Sequence, residues 1–393
     1  MFESLELATP DAIIGLMTEY QSDSRETRVD LGIGIYRNAA GDTPVLDVVK
    51  QAEQRLVDSQ SSKSYIGSAG PADFNTAMRD MTFAGLIANE RVAMLQTPGG
   101  SGSLSVAAGV ILRARQDATT WVSGPTWANH MPLLGEAGLE MKVYPYYDAK
   151  RHALDIDSML ETLHTIPRGD MILFHASCHN PTGIDPDEKQ WRAIADIVVE
   201  RELVPVVDMA YQGFATDLDT DAFVIRHLAD QVPEMIVCNS CSKNFGLYRD
   251  RVGMLLIMTA DTRTRDIVQS QANNYVRTIY SMPPDHGAAV VSTILHDEGL
   301  RADWIGELNE MRQRLRDMRA LLHDALRARI PDRDFSHLVR ANGMFSFLGV
   351  SIEEVTRLKQ DHAVYMVDSG RINVAGITPT NVDHIADSIA AVF

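Results

Sequence analysis

Cysteine is scarce in this chain. Only Cys178, Cys238 and Cys241 occur among 393 residues. Three is an odd number and too few for a disulfide framework, so a reducing compartment, the cytoplasm, is expected. Cys238 and Cys241 have C-x-x-C spacing, but no second pair or histidine cluster completes a zinc site, and no metal is expected. Positive charge is also short: 36 Lys and Arg face 53 Asp and Glu, a formal charge of −17. That balance speaks against nucleic acid and anionic membrane as partners. No apolar run is long enough to span a bilayer. Met1–Glu6 has neither the basic nor the apolar section of a secretory leader. Repeats and low-complexity tracts are absent too.

What is present is a large, ordinary globular composition with room for two domains. Short apolar runs read as strands: Val92–Thr97, Trp121–Ser123, Met141–Tyr144, Met171–His175, Leu203–Asp208, Met235–Cys238 and Val252–Met258. Helical runs lie between them, at Leu104–Arg115 and Trp191–Glu200 among others. Continuous apolar strands alternating with helices predict an α/β fold around a mostly parallel seven-stranded sheet covered on both faces. Ligands in such folds sit at the carboxyl ends of strands. Gly99–Ser103, His175–Gly183, Asp208–Tyr211 and Ser240–Lys243 all fall there. After about Ala302 the pattern changes to a long helix, Asp303–Arg329, broken at Pro331. Short strands near Met344–Leu348 and Arg371–Val374 and helices at Glu353–Gln360 and Val382–Ala391 follow. They predict a smaller α+β domain, joined by an N-terminal helix at Pro10–Glu19 and a strand at Leu31–Tyr36. The boundaries expected are 1–43 for an N-terminal arm and the first part of the small domain, 44–310 for the large domain, and 311–393 for the rest of the small one.

Lys243 follows a buried strand among small polar residues. It is either a solvated loop lysine or a buried one, and burial would yield the neutral amine that attacks carbonyl carbon. Gly99-Gly100-Ser101-Gly102, between strand and helix, either permits tight packing or offers backbone N–H groups to a phosphate. It lacks the third glycine of a dinucleotide fingerprint and the Gly-Lys-Ser/Thr of a P-loop, which disfavours a dehydrogenase or a kinase. Asp208 either caps a turn or pairs with a buried cation such as a protonated pyridine nitrogen. Arg251 is a surface ion-pair residue or a phosphate clamp, and Arg371 a structural ion pair or a bidentate carboxylate clamp.

Four motifs occur in order: Asn180-Pro181-Thr182-Gly183, Asp208-Met209-Ala210-Tyr211-Gln212-Gly213-Phe214, Ser240-Cys241-Ser242-Lys243-Asn244-Phe245-Gly246 and Gly370-Arg371-Ile372-Asn373-Val374-Ala375-Gly376. Together they resemble the class I aminotransferases of fold type I, in the aspartate/aromatic subgroup, over essentially the whole chain. The resemblance implies pyridoxal 5′-phosphate as cofactor, bonded to Lys243, with Asp208 on its ring nitrogen. It gives Tyr211 and Asn180 to the phenolic oxygen and Trp127 to the ring face. Gly100, Ser101, Gly102, Ser240, Ser242 and Arg251 form the phosphate cup, with Tyr65 supplied by a second subunit. Lys243, Asp208, Tyr211 and Trp127 are the catalytic set. His130 and His175 stand behind the ring, or are ordinary buried histidines.

On the substrate side the resemblance assigns Arg371 to the α-carboxylate and Arg277, reaching across a homodimer, to a distal carboxylate. Gly34, Phe345, Trp127 and Asn180 complete the cleft. The implied activity is ping-pong transamination between an aromatic or acidic L-amino acid and 2-oxoglutarate or another 2-oxo acid. Ser101, where the family often has threonine, Cys241 and the Tyr280–Pro284 turn incline toward the aromatic-accepting members. A strict aspartate aminotransferase is the alternative, and a non-catalytic cofactor-binding regulatory module is a reading of another class.

Overall fold

The computed structural model describes residues 1–7 and 12–393. Seven strands form the central sheet: β1 Val92–Pro98, β2 Thr119–Gly124, β3 Glu140–Pro145, β4 Met171–His175, β5 Val204–Met209, β6 Met235–Ser240 and β7 Val252–Met258. Their order is β1-β7-β6-β5-β4-β2-β3. Only β7 runs against its neighbours; the other pairings are parallel. Strand residues alternate between two faces, and the cores divide accordingly. Met254, Leu256 and Met258 of β7 join one cluster, while Leu255 and Ile257 join the other. Register aligns His175 of β4 with Asp208 of β5, and Asp208 with Cys238 of β6. The carboxylate therefore sits at the middle of the sheet's carboxyl edge.

A 32-residue helix, Glu298–Arg329, starts where the Asp297 carboxylate accepts from the Leu300 N–H and ends just before Pro331. Near its start, Trp304 stacks on Phe245 at 4.2 Å and donates to the Asn244 carbonyl at 2.7 Å, fastening the helix to the Lys243 turn. Beyond it, Phe345–Phe347 pairs antiparallel with Arg371–Asn373, and Val29–Asp30 pairs parallel with Val364–Tyr365. Helices Ile352–His362 and Val382–Val392 pack alongside.

Three expectations need adjustment. The strand expected at Leu31–Tyr36 is not one: regular pairing stops at Asp30. Leu31 still bonds the Tyr365 carbonyl and the Asn373 N–H through its backbone; beyond it the Asp30 carboxylate accepts from the Gly32 and Ile33 N–H groups, and the Asn373 amide donates to the Ile33 and Ile35 carbonyls, so side chains replace the ladder. The Gly99 run, read as a turn ahead of a helix starting at Leu104, is itself the first turn of the helix Gly99–Ala114. The N-terminal helix spans Ala12–Ser22; Pro10 and Asp11, where it was expected to start, lie outside the described residues. Among the described residues, no helix is long and apolar enough to cross a membrane.

Candidate active site

The carboxyl edge of the sheet borders a cavity of about 250 Å³. One end is built to hold an anion. The helix Gly99–Ala114 begins at Pro98, with no side chain capping its first N–H groups, and such a terminus favours negative charge. Ser240 and Ser242 lie opposite, joined by a 3.1 Å hydroxyl contact. Arg251 completes this end. It has no carboxylate partner among the described residues, and donates one bond, of 3.3 Å, to the Tyr248 carbonyl. Its guanidinium lies so close to Gly99 that a Cβ there would come within 2.6 Å of it. Gly99 has φ +72°, a conformation that favours glycine, and a side chain there would have to push the Arg251 guanidinium aside.

Lys243 enters from the turn after β6, with Nζ 5.0 Å from the centre of the Tyr211 ring. Burial lowers its pKa; Asp208 opposes that shift and Arg251 adds to it. Asp208 heads a chain of hydrogen bonds. Its Oδ2 lies 3.1 Å from His130 Nε2, His130 Nδ1 is 2.7 Å from Thr126 Oγ1, and the same hydroxyl is 3.0 Å from His175 Nε2. A carboxylate only accepts, so His130 Nε2 carries a proton. The Thr126 hydroxyl, able both to donate and to accept, links the two rings. Burial raises the Asp208 pKa, but the His130 hydrogen bond and nearby positive charge outweigh it, and the net shift is downward. Burial, with His130 beside it, pushes His175 down to about 3. At neutral pH this floor is one carboxylate backed by a neutral His175.

The other end presents a second cation. Arg371 opens the edge strand Arg371–Asn373. Its Nη2 donates to the Gly32 carbonyl at 2.5 Å and its guanidinium lies 4.4 Å from the Phe345 ring centre. No carboxylate touches it among the described residues, and its buried Nε has no partner. The Asn180 Oδ1 nearby is likewise buried and unpartnered. Trp127 forms a side wall and meets His130 edge-on at 5.2 Å. One cavity is therefore faced by an anion cup, a buried lysine, a carboxylate held by His130 and an arginine whose Nε has no partner among the described residues. A phosphorylated pyridine aldehyde fits the first three, and a carboxylic acid fits the last.

Residues 26–389 match the model of the aminotransferase class I and II family. The chain belongs to that family. Aspartate aminotransferase of Escherichia coli strain K12 is 45% identical over the full length of both chains. Aromatic-amino-acid aminotransferase of Pseudomonas aeruginosa is 43% identical over 97% of this chain and 96% of its own. The crystal structure of aromatic-amino-acid aminotransferase from Burkholderia pseudomallei, covalently bound to pyridoxal phosphate, superimposes with a TM-score of 0.97. It is 39% identical and covers 100% of this chain and 99% of its own.

Within this aminotransferase, the cavity gathers Gly34, Gly100, Ser101, Trp127, Asn180, Asp208, Tyr211, Ser240, Ser242, Lys243, Arg251, Phe345 and Arg371. Three expected residues lie outside it. Gly102 faces back into its own helix start, where a Cβ would sit 2.8 Å from Pro98 Cδ. Tyr65 is 94% exposed. Arg277 is exposed on the helix Thr262–Ile279 and donates to the Ser281 hydroxyl. Two participants escaped the sequence reading. Thr126 links His130 to His175, a role visible only when three segments meet. His179 lies buried 4.2 Å from the His175 ring, between the Ser123 and Thr182 hydroxyls at 2.9 Å each.

Proposed function

We propose that the protein is a pyridoxal 5′-phosphate-dependent aminotransferase acting between an aromatic or acidic L-amino acid and 2-oxoglutarate or another 2-oxo acid. The observation that carries this reading is the line Arg251–Lys243–Asp208–Arg371 around one cavity, a phosphate cup at one end and, at the other, an arginine with no carboxylate partner among the described residues and an unpartnered Nε. Bound pyridoxal phosphate supplies an electron sink for the pair left at the substrate Cα when its proton departs. Gly100, Ser101, Ser240, Ser242 and Arg251 would hold the phosphate, and Trp127 would cover the ring face. Asp208, ionised and steadied by His130, would keep a proton on the ring nitrogen. Tyr211 and Asn180 would donate to the phenolic oxygen.

Arg371 grips the α-carboxylate through its fork and so aims the Cα–H bond. Lys243, its proton affinity lowered by burial, would hold the cofactor aldehyde and is placed to move the Cα proton. Donor and acceptor use these residues in turn, so ping-pong kinetics follow. Gly34 and Phe345 narrow the cleft: a Cβ on Gly34 would lie 3.0 Å from the Phe345 ring.

The same reading places Tyr65 and Arg277 in a homodimer, the first on the partner's cofactor phosphate and the second on a distal substrate carboxylate. Their exposure in a single chain supports it. It divides the chain at 43/44 and 310/311, supported by the pairing of Val29–Asp30 with Val364–Tyr365. Three free, buried cysteines support a cytoplasmic setting. The second reading, a strict aspartate aminotransferase, is favoured by the Escherichia coli relative of that name.

The test compares kcat/KM for aspartate and phenylalanine with 2-oxoglutarate as acceptor. Turnover of both is expected, falling at least about 10⁴-fold in Lys243→Ala, which still takes up cofactor. Aspartate turnover alone selects the strict reading. Near-wild-type transamination by Lys243→Ala overturns the proposal.

A further inference from the structure

Arg319 lies on the long helix Glu298–Arg329, away from the cavity, and is buried without an ion-pair partner among the described residues. Burial lowers its pKa to about 10, so it stays charged at neutral pH. A buried charge is costly unless hydrogen bonds replace its water. Here the whole fork is used. Nε and Nη2 donate to the Gly343 carbonyl at 3.3 and 2.9 Å, and Nη2 also to the Asn342 and Phe345 carbonyls at 3.0 and 2.7 Å. Nη1 donates to the Leu338 carbonyl at 3.0 Å and the Ser346 hydroxyl at 2.8 Å. One guanidinium thus gathers the loop that delivers Phe345, the ring beneath Arg371.

The opposite side of that loop is held by an anion. Asp185 accepts from the Asn342 amide at 3.0 Å and from the Cys178 and His179 N–H groups at 2.9 and 2.8 Å. Those two residues run directly into Asn180. The Asn342 N–H donates to the Gly183 carbonyl at 2.7 Å. Gly183 itself admits no side chain, since a Cβ would come within 2.3 Å of the Phe345 carbonyl. The loops bearing Asn180 and Phe345 are therefore fastened to each other, by a cation collecting carbonyls on one side and a carboxylate collecting N–H groups on the other. Phe345 in turn meets the Arg371 guanidinium at 4.4 Å and the Tyr211 ring edge-on at 6.1 Å.

We propose that Arg319 and Asp185 are positioning residues that set the substrate-carboxylate end of the site by clamping the Phe345 and Asn180 loops together. The inference rests on the reading of Arg371 as the α-carboxylate fork. Displacing a binding group by about 1 Å can cost about 10²-fold, and a lysine at 319 keeps the charge but loses the planar fork.

The test uses the cofactor-loaded dimer carrying Arg319→Lys, with Asn342→Ala as a second variant that cuts the tie from the Asp185 side. Steady-state kinetics are measured with both substrates, and calorimetry measures the affinity for succinate and 3-phenylpropionate, carboxylates that lack an amine. The expected result is a KM for both substrates, and a Kd for both probes, raised about tenfold, with kcat within about threefold and cofactor content unchanged. Wild-type KM and Kd in a folded Arg319→Lys overturn the proposal, even if its melting temperature falls. If Arg319→Lys does not fold, Asn342→Ala decides in the same way. Arg371→Ala is the control: if it loses probe affinity while the two clamp variants do not, the clamp alone is refuted. If it binds the probes normally, the reading of the site has failed, and the clamp with it.

Discussion

The floor of the cavity and its outer rim are held in opposite ways. On the floor, Asp208, His130, Thr126 and His175 form an unbroken hydrogen-bond chain fixed by strand register. Tyr65 and Arg277, proposed for the rim, lie outside the cavity in a single chain and are exposed, and among the described residues Arg277 donates to the Ser281 hydroxyl alone. Groups that stabilise charge must be aimed before the reaction starts, because reorienting them during it costs energy. The floor meets that demand within one chain. The proposed rim does not, and on the homodimer reading its targets would lie on a second copy.

Breaking the floor has the largest expected effect. Asp208→Asn removes the anion but keeps the shape, and kcat is expected to fall about 10³-fold while cofactor content at saturating concentration stays the same. Equal kcat in the two proteins would mean that the floor's charge does no catalytic work.

Disturbing the rim is expected to be milder and selective. Arg277→Ala lowers kcat/KM for aspartate about 10²-fold and for phenylalanine less than about threefold, since only the first loses a charged partner. Mixing Arg277→Ala with Lys243→Ala subunits sharpens the contrast. A hybrid has one site with both changes and one with neither, so aspartate turnover returns on mixing. No return would place Arg277 in its own subunit's site, and the rim would then belong with the floor.

The smallest effect concerns proton affinity. His175 is depressed to about 3 from an ordinary value near 6.5. Its neutral burial therefore contributes stability that is complete above about pH 6.5 and is lost as pH falls toward 3. In cofactor-free protein, the His175 ring nitrogens are expected to keep neutral-form NMR shifts down to about pH 4. Titration near pH 6.5 would show that the floor is not preformed.

The same contrast governs what could be read from the chain alone. β4 and β7 were legible to the residue, since strands buried on both faces leave an uninterrupted apolar signature. Asp208 and Lys243 were legible because each lies in a short segment ending a strand. The helix start at Gly99 was not, because glycine is a poor helix former and the first turn asks little of side chains. Leu31–Tyr36 was misread because what shapes it is an amide more than 300 residues away, that of Asn373. Thr126, Arg319 and Asp185 left no local trace, since each matters only through segments that folding brings together. Tyr65 and Arg277 came from resemblance alone, and a single chain supplies no geometry for them.

Arg251 adopts φ +55°, a left-handed backbone conformation that favours glycine. A side chain there costs about 1–2 kcal/mol. Two selective pressures consequently pull this position apart. Screening variants for heat resistance would favour replacing the arginine by glycine, whereas screening for turnover would retain the charge opposite Ser240 and Ser242. The residue at this turn thus sets backbone ease against a fixed positive charge facing the two hydroxyls.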